Sequence, residues 1–195
     1  MKYILFLALA GALACTSALG MIPKTVVIDP GHGGHDAGGI PGNLACEKTL
    51  ALDVAQRLAG ILQARGVKTV MTRQDDTFIP LPERAAIANA HRDALFVSIH
   101  FNSALRRGAE GFETYYFDSQ AAGIAERVEA HLSALQTGEN RGVKRRPYYV
   151  LRKARIPAIL AECGFLTNPQ EAARCRQPEY REKIALAIAN AIVKG

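Results

Sequence analysis

The chain has 195 residues, of which 49% are hydrophobic and 22% are charged. This composition is typical of a folded globular protein, and it excludes a disordered chain and a multi-span membrane protein. The length suits a single well-buried domain. The net charge of +6 favours anionic partners, but no DNA- or RNA-binding motif is present, so we expect no nucleic-acid partner.

Residues 1–20 have the pattern of a secretory signal peptide, with one Lys, an apolar run and then small residues. The apolar run from Tyr3 to Ala14 is short for a membrane span, and an uncleaved membrane tether is the less favoured alternative. We expect no transmembrane helix in the mature chain, residues 21–195. The pattern predicts export to the periplasm or cell envelope. Lipidation at Cys15 is an alternative, although Ala12 stands where a lipoprotein signal usually has Leu.

Apolar runs predict strands, and apolar stripes at helical spacing predict helices. In chain order, we expect strands at Thr25–Ile28, Val67–Thr72, Ala94–Ile99, Gly111–Phe117 and Ala158–Ala161. We expect helices at Glu47–Arg65, Leu81–Ala90, Gln120–Leu135 and Glu179–Val193. This alternation predicts one α/β domain of three layers, in which helices cover both faces of a mainly parallel sheet.

Three of the predicted strands run into an ionisable side chain. The first strand leads into the loop PGHGGHDAGG and His32, while the third and the last lead into His100 and Glu162. Sites in open α/β sheets lie at the carboxyl ends of strands. We therefore expect these three side chains to meet at one edge of the sheet, although they are far apart in the sequence.

Glu47 is a fourth candidate, because it lies on the apolar stripe of the first predicted helix. Leu50 and Val54 follow it at helical spacing, so its carboxylate should face the sheet. An inward-facing charge requires a partner or a metal ion. A capping or salt-bridged glutamate at a helix start is the alternative. The two histidines favour the metal site.

Two imidazoles and one carboxylate are typical ligands of a catalytic zinc ion, because three protein ligands leave a fourth position for water. Cys46, Cys163 and Cys175 form no CxxC motif, so a thiolate zinc site is not indicated. A second carboxylate that does not bind the metal can accept and deliver a proton, and Glu162 fits that role.

The glycine-rich loop after the first strand contains further candidates. His35 lies close to His32, and spacing alone does not choose the ligand between them. Asp29 and Asp36 could fix the ring of a ligand histidine, although each is equally typical of a turn or cap. A phosphate-binding loop is a competing interpretation, but the loop has neither GxGxxG spacing nor a GK[ST] motif.

Five segments, in order, resemble the zinc-dependent N-acetylmuramoyl-L-alanine amidases of the type-3 amidase family. The segments are VVIDPGHGGHDAGG, EKTLALDVAQRL from Glu47, TRQDDTFIPLPERAAIAN, SIHFNS and PAILAECGFLTNPQE. The resemblance extends from Lys24 to about Ile192. It implies a mixed sheet of about six strands, flanked by helices.

The resemblance also implies a role for each chemical residue. The family's zinc ligands fall on His32, Glu47 and His100, and its catalytic acid/base falls on Glu162. His35 then stands at a variable position of the motif. The implied reaction is hydrolysis of the amide between the lactyl group of N-acetylmuramic acid and L-alanine of the stem peptide, with peptidoglycan or muropeptides as substrate.

Two alternatives remain open at the level of sequence. A zinc carboxypeptidase also uses two histidines and a glutamate, but the motif order favours the amidase. A wall-binding module that has lost catalysis is disfavoured, because all four chemical residues are present. We expect a monomer, and the sequence identifies no protein activator.

The segment from Arg141 to Arg155, RGVKRRPYYVLRKAR, contains seven basic residues and no acidic one. It is interpreted either as a solvated basic loop and strand edge or as a rim that attracts the carboxylates of stem peptides or anionic wall polymers.

Overall fold

The fold is known from a computed structural model that describes residues 22–39, 46–135 and 139–193. The predicted signal peptide and Cys15 lie outside the described residues. The strands are β1 (Thr25–Pro30), β2 (Lys68–Met71), β3 (Ala94–Asn102), β4 (Phe112–Tyr116), β5 (Asn140–Arg145) and β6 (Ala158–Phe165).

The described residues also form six α-helices and one short 3-10 helix, Ser119–Ala121. The α-helices are α1 (Glu47–Ala64), α2 (Leu81–Asn89), α3 (Ala122–Ser133), α4 (Tyr149–Lys153), α5 (Pro169–Cys175) and α6 (Pro178–Val193). Within the described ranges, no helix combines the length and the apolar character that a bilayer crossing requires.

The described strands form one sheet in the order β2-β1-β3-β6-β4-β5. β2, β1, β3 and β6 run parallel, β4 is antiparallel to β6, and β5 is parallel to β4. Parallel neighbours need crossover connections, and these contain α1 between β1 and β2, α2 between β2 and β3, and α3 between β4 and β5. The predicted mixed, mainly parallel sheet of about six strands is therefore confirmed.

Helices cover both faces of the sheet, as the alternation of elements predicts. On one face, α1, α3 and α6 enclose the larger apolar core, which includes Ile28 and Ile188. On the other face, α2 and α4 cover a smaller core that includes Val27 and Phe96. Adjacent residues of a strand point to opposite faces, which is why Val27 and Ile28 belong to different cores.

The less covered face positions the candidate site. His100 and Glu162 each lie on the same side of the sheet as Phe96 and Leu160, because each is an even number of residues further along its strand. Helices α2 and α4 have only nine and five residues. They leave room for a cleft above the carboxyl ends of β1, β3 and β6.

The sequence predicts neither β5 nor the short helices α4 and α5. β5 lies at the sheet edge, where charged side chains are common, and it has Val143 as its apolar residue. The basic segment thus contains an edge strand and a helix. Helix α5 begins where Asn168 accepts hydrogen bonds from two backbone N–H groups and Pro169 follows. Seven residues are too few for a clear apolar stripe.

Leu58 and Leu186 provide a matched test of the core. Leu58 on α1 is fully buried, whereas Leu186 on α6 is 41% exposed. Leu58→Ala should lower the free energy of unfolding by about 2–5 kcal/mol, because it leaves a cavity. Leu186→Ala should change it by roughly 0.5 kcal/mol or less. Urea denaturation measures both, and equal losses would contradict this core.

Candidate metal centre and active site

The loop after β1 gives His32 an unusual backbone conformation. Its φ is 60°, the only positive φ of a residue other than glycine in the described part of the chain. Such a conformation costs roughly 1–2 kcal/mol, and strain of this kind concentrates at functional sites. The neighbouring Gly31 permits close approach to the next strand, since a Cβ there would lie 2.3 Å from the imidazole of His100.

The ring of His32 has a defined partner on each nitrogen. Nδ1 lies 2.9 Å from Oδ2 of Asp36, and Nε2 lies 3.1 Å from Oε1 of Glu47. A carboxylate beside Nδ1 favours the tautomer that carries its proton there, which leaves the Nε2 lone pair for a metal ion. Asp36 therefore lies where a residue that orients a ligand histidine is needed.

Glu47 connects the two histidines. It is the first residue of α1, and it is 4% exposed. Its Oε1 lies 2.9 Å from Nδ1 of His100 and accepts a hydrogen bond from the backbone N–H of Phe101 at 3.0 Å. Its Oε2 accepts from the N–H of Gly39 at 2.7 Å. The inward orientation expected from the apolar stripe is what brings this carboxylate to the end of β3.

The charge distribution favours a cation between these groups. Burial alone would raise the pKa of Glu47, but hydrogen bonds and charge from His100 and His32 hold that pKa well below its usual range. Burial lowers the pKa of His32, yet hydrogen bonds and charge from Glu47 and Asp36 outweigh it and raise the pKa to about 8. The carboxylates of Glu47 and Asp36 therefore stabilise a positive charge placed between His32 and Glu47.

His32, Glu47 and His100 also fit a metal ion by their chemistry. Their potential ligand atoms lie within 4.8 Å of one another, and they form the one such cluster in the part of the chain that the structure describes. Imidazole nitrogen and carboxylate oxygen suit zinc, and three protein ligands are typical of a catalytic zinc site. His35 lies outside this cluster, with its ring 4.2 Å from that of Phe78.

Glu162 lies beside the cluster on the neighbouring strand. It is directly opposite His100 in the parallel pairing of β3 and β6. Its Oε2 is buried, and no donor among the described residues forms a hydrogen bond with it. Burial raises the pKa of Glu162 to about 7. A carboxyl group with this pKa and an unpaired oxygen can accept and release a proton near neutral pH.

Asp29 has different partners from those expected of it. Its Oδ1 accepts from Thr72 at 2.7 Å and from Nη1 of Arg84 at 2.8 Å, and its Oδ2 accepts from Ser98 at 2.7 Å. Because Asp29 is still part of β1, its side chain points into the layer beside α2, whereas His32 lies in the loop beyond the strand. These bonds attach Asp29 to Arg84 rather than to a histidine ring.

Glu113 is a buried residue near the site that sequence patterns alone do not identify as part of it. It lies opposite Glu162 in the antiparallel pairing of β4 and β6. Its carboxylate accepts hydrogen bonds from Tyr115, Arg141 and Lys144. A glutamate within the strand segment GFETYYF is the signal that could have identified it. Arg141 and Lys144, two of the seven basic residues of the Arg141–Arg155 segment, are thus already paired with an acid and are less available to an anionic ligand.

A cleft of about 620 Å³ opens beside the ligand cluster and Glu162. Phe78, Leu81 and Tyr148 line it, although 37–52% of each remains exposed. Exposed apolar walls around a few convergent polar groups are typical of a ligand-binding site. The fold and the site therefore define an α/β domain with a candidate metal centre at the base of a substrate-sized cleft.

The chain belongs to the Amidase_3 family, N-acetylmuramoyl-L-alanine amidase, whose model matches residues 26–194. These enzymes are a class of peptidoglycan hydrolase. The resemblance noted from the five sequence segments is thereby confirmed.

The chain is also similar to individual proteins. The chain is 42% identical to the uncharacterized protein YqiI of Bacillus subtilis (strain 168), over 87% of this chain and 83% of that protein. It is 39% identical to the N-acetylmuramoyl-L-alanine amidase LytC of the same organism, over 86% of this chain but only 34% of LytC. The structure of the amidase AmiC2 of Nostoc punctiforme matches with a TM-score of 0.84 and 41% identity, covering 88% of this chain and 96% of that one.

Asp36 and Asp76 form a matched pair for testing the orientation of His32. Both accept a hydrogen bond from a backbone N–H of the glycine-rich loop, but Asp36 contacts the imidazole and Asp76 instead pairs with Lys48. Asp36→Ala should lower zinc affinity by about 10- to 100-fold, because the ring loses its orienting acceptor. Competition with a chromogenic chelator measures the affinity. An Asp76→Ala variant that loses as much would contradict this role.

Proposed function

We propose that the protein is an exported, zinc-dependent N-acetylmuramoyl-L-alanine amidase. It hydrolyses the amide between the lactyl group of N-acetylmuramic acid and L-alanine of the stem peptide. The observation that carries the proposal is the convergence of His32, Glu47 and His100 in one cleft with the unpaired carboxyl oxygen of Glu162. Family membership supports the reaction class.

Hydrolysis requires two functions of the chain, metal binding and proton transfer, and different residues provide them. Zinc, when bound by His32, Glu47 and His100, supplies the Lewis acidity that activates water and polarises a carbonyl. Glu162 accepts a proton from the attacking water as the new C–O bond forms. It then delivers that proton to the amide nitrogen as the C–N bond breaks, so that the amine leaves uncharged.

Peptidoglycan or its muropeptide fragments are the proposed substrate. The cleft supports this assignment, because its exposed apolar walls can cover a substrate larger than a single amino acid. The signal-like pattern of residues 1–20 supports export to the periplasm or cell envelope, where such a substrate is found. The monomeric state stays a prediction.

Product analysis tests this function directly. The purified protein is incubated with peptidoglycan, with and without a chelator and added zinc, and the released products are identified by mass spectrometry. We expect intact stem peptides and free lactyl groups, released only when metal is present. Shortened stem peptides would instead identify a carboxypeptidase, and binding without release in the zinc-loaded protein would identify a non-catalytic wall-binding module.

Glu162→Gln separates proton transfer from metal binding. The amide side chain cannot act as a base, so kcat should fall by at least about 100-fold while zinc content is unchanged. Glu129→Gln is the control, because Glu129 is a buried glutamate that accepts from Thr114 and Ser133 on the opposite side of the sheet. It should retain activity. An active Glu162→Gln enzyme would remove the proposed acid/base.

A further inference from the structure

Two buried arginines bind the backbone at the point where β1 leads into the His32 loop. Arg73 donates from Nε to the carbonyl of Pro30 at 3.1 Å and from Nη2 to that of Gly31 at 2.7 Å. Arg84 donates from Nη1 to the carbonyl of Pro30 and from Nη2 to that of His32, both at 2.6 Å. Three successive carbonyl groups are therefore bound by guanidinium groups.

Among these hydrogen bonds, the one from Nη2 of Arg84 to the carbonyl of His32 restrains the backbone of a candidate metal ligand. His32 has a positive φ, which a side chain with a Cβ adopts only when its surroundings determine the conformation. In the present conformation, Nε2 of His32 lies 3.1 Å from the carboxylate of Glu47. A rotation of the His32 backbone would move the imidazole and break this contact. Asp36 orients the ring, but the backbone from which the ring extends requires a separate restraint.

Arg84 is itself fixed in place. It is 2% exposed, and its guanidinium forms an ion pair with Asp29 at 2.8 Å. Asp29 is also fully engaged, because Thr72 and Ser98 donate to its two oxygens. The planar guanidinium can bind a carboxylate and several carbonyl groups at once, which a lysine ammonium cannot reproduce in the same geometry. Through Arg84 and Asp29, the His32 carbonyl is thus connected by hydrogen bonds to Ser98 on the central strand β3.

We propose that Arg84, oriented by Asp29, is a positioning residue that fixes the backbone of His32 and thereby sets the metal affinity of the site. This inference rests on the metal site of the proposed function. It assigns Asp29 a role that does not require contact with a histidine ring. The effect on the metal passes through one identified bond, from Nη2 of Arg84 to the carbonyl oxygen of His32.

A purely structural role is the competing explanation, because Arg84 also donates to the carbonyl of Ile79 at 2.8 Å and so connects α2 to β1. Arg181 provides the control for it. Arg181 likewise binds one carboxylate, Asp53, and two backbone carbonyl groups, those of Cys175 and Arg176. These contacts lie among α1, α5 and α6, on the opposite side of the sheet from the cleft.

The test compares Arg84→Lys with Arg181→Lys in the metal-stripped protein. Zinc affinity is measured by chelator competition, and stability is measured as the Tm without metal. Both variants should lower the Tm, because each loses hydrogen bonds to backbone carbonyl groups. Only Arg84→Lys should also lower zinc affinity, by about 10- to 100-fold, which is the usual effect of removing a group that orients a metal ligand.

Zinc affinity equal to that of the wild type in folded Arg84→Lys would overturn the positioning role and leave the proposed function intact. An equal loss of affinity in Arg181→Lys would also overturn it, because the effect would then follow from general destabilisation. A wild-type protein that does not bind zinc would instead refute the proposed function. If Arg84→Lys does not fold, Asp29→Asn replaces it in the same comparison, with the same expected loss of affinity.

Discussion

The site depends on the interaction between the buried carboxylate of Glu47 and the imidazoles of His32 and His100. This carboxylate contacts both candidate ligand histidines, and its two oxygens accept hydrogen bonds from the backbone N–H groups of Gly39 and Phe101. A buried charge is costly unless it is compensated from several directions. Compensation of this carboxylate therefore requires three elements to meet, namely the loop after β1, the start of α1 and the end of β3. Their meeting point is also where a metal ion would bind in place of protons on the two imidazoles.

The sheet order explains how residues so far apart in sequence form one site. β1, β3 and β6 are adjacent and parallel, so His32, His100 and Glu162 follow one another across the same edge. The short helices on this face leave the cleft open, while the longer helices on the opposite face bury most of the core. Stability and access to the site are thus provided by different faces of the sheet.

The sequence predicts the parts of this arrangement that follow from regular patterns. Continuous apolar runs identify the central strands, and their ends identify His32, His100 and Glu162. The stripe of α1 identifies Glu47. The partners of Asp29 could not be predicted, because they depend on strand pairing and on an arginine 55 residues later. The strand β5 could not be predicted, because a short, charged strand at the sheet edge has little apolar alternation. Glu113 lies in a predicted strand, but its ion pairs with Arg141 and Lys144 form only when β4 and β5 are side by side.

The most direct test of the central claim is an anomalous diffraction measurement at the zinc absorption edge, on crystals of the zinc-loaded protein. A single peak about 2.0–2.2 Å from Nε2 of His32, an oxygen of Glu47 and Nδ1 of His100 is the predicted result. The carboxylate of Glu162 should face the zinc without binding it. No peak between these side chains, or zinc bound elsewhere while the three residues pair only with one another, would contradict the account.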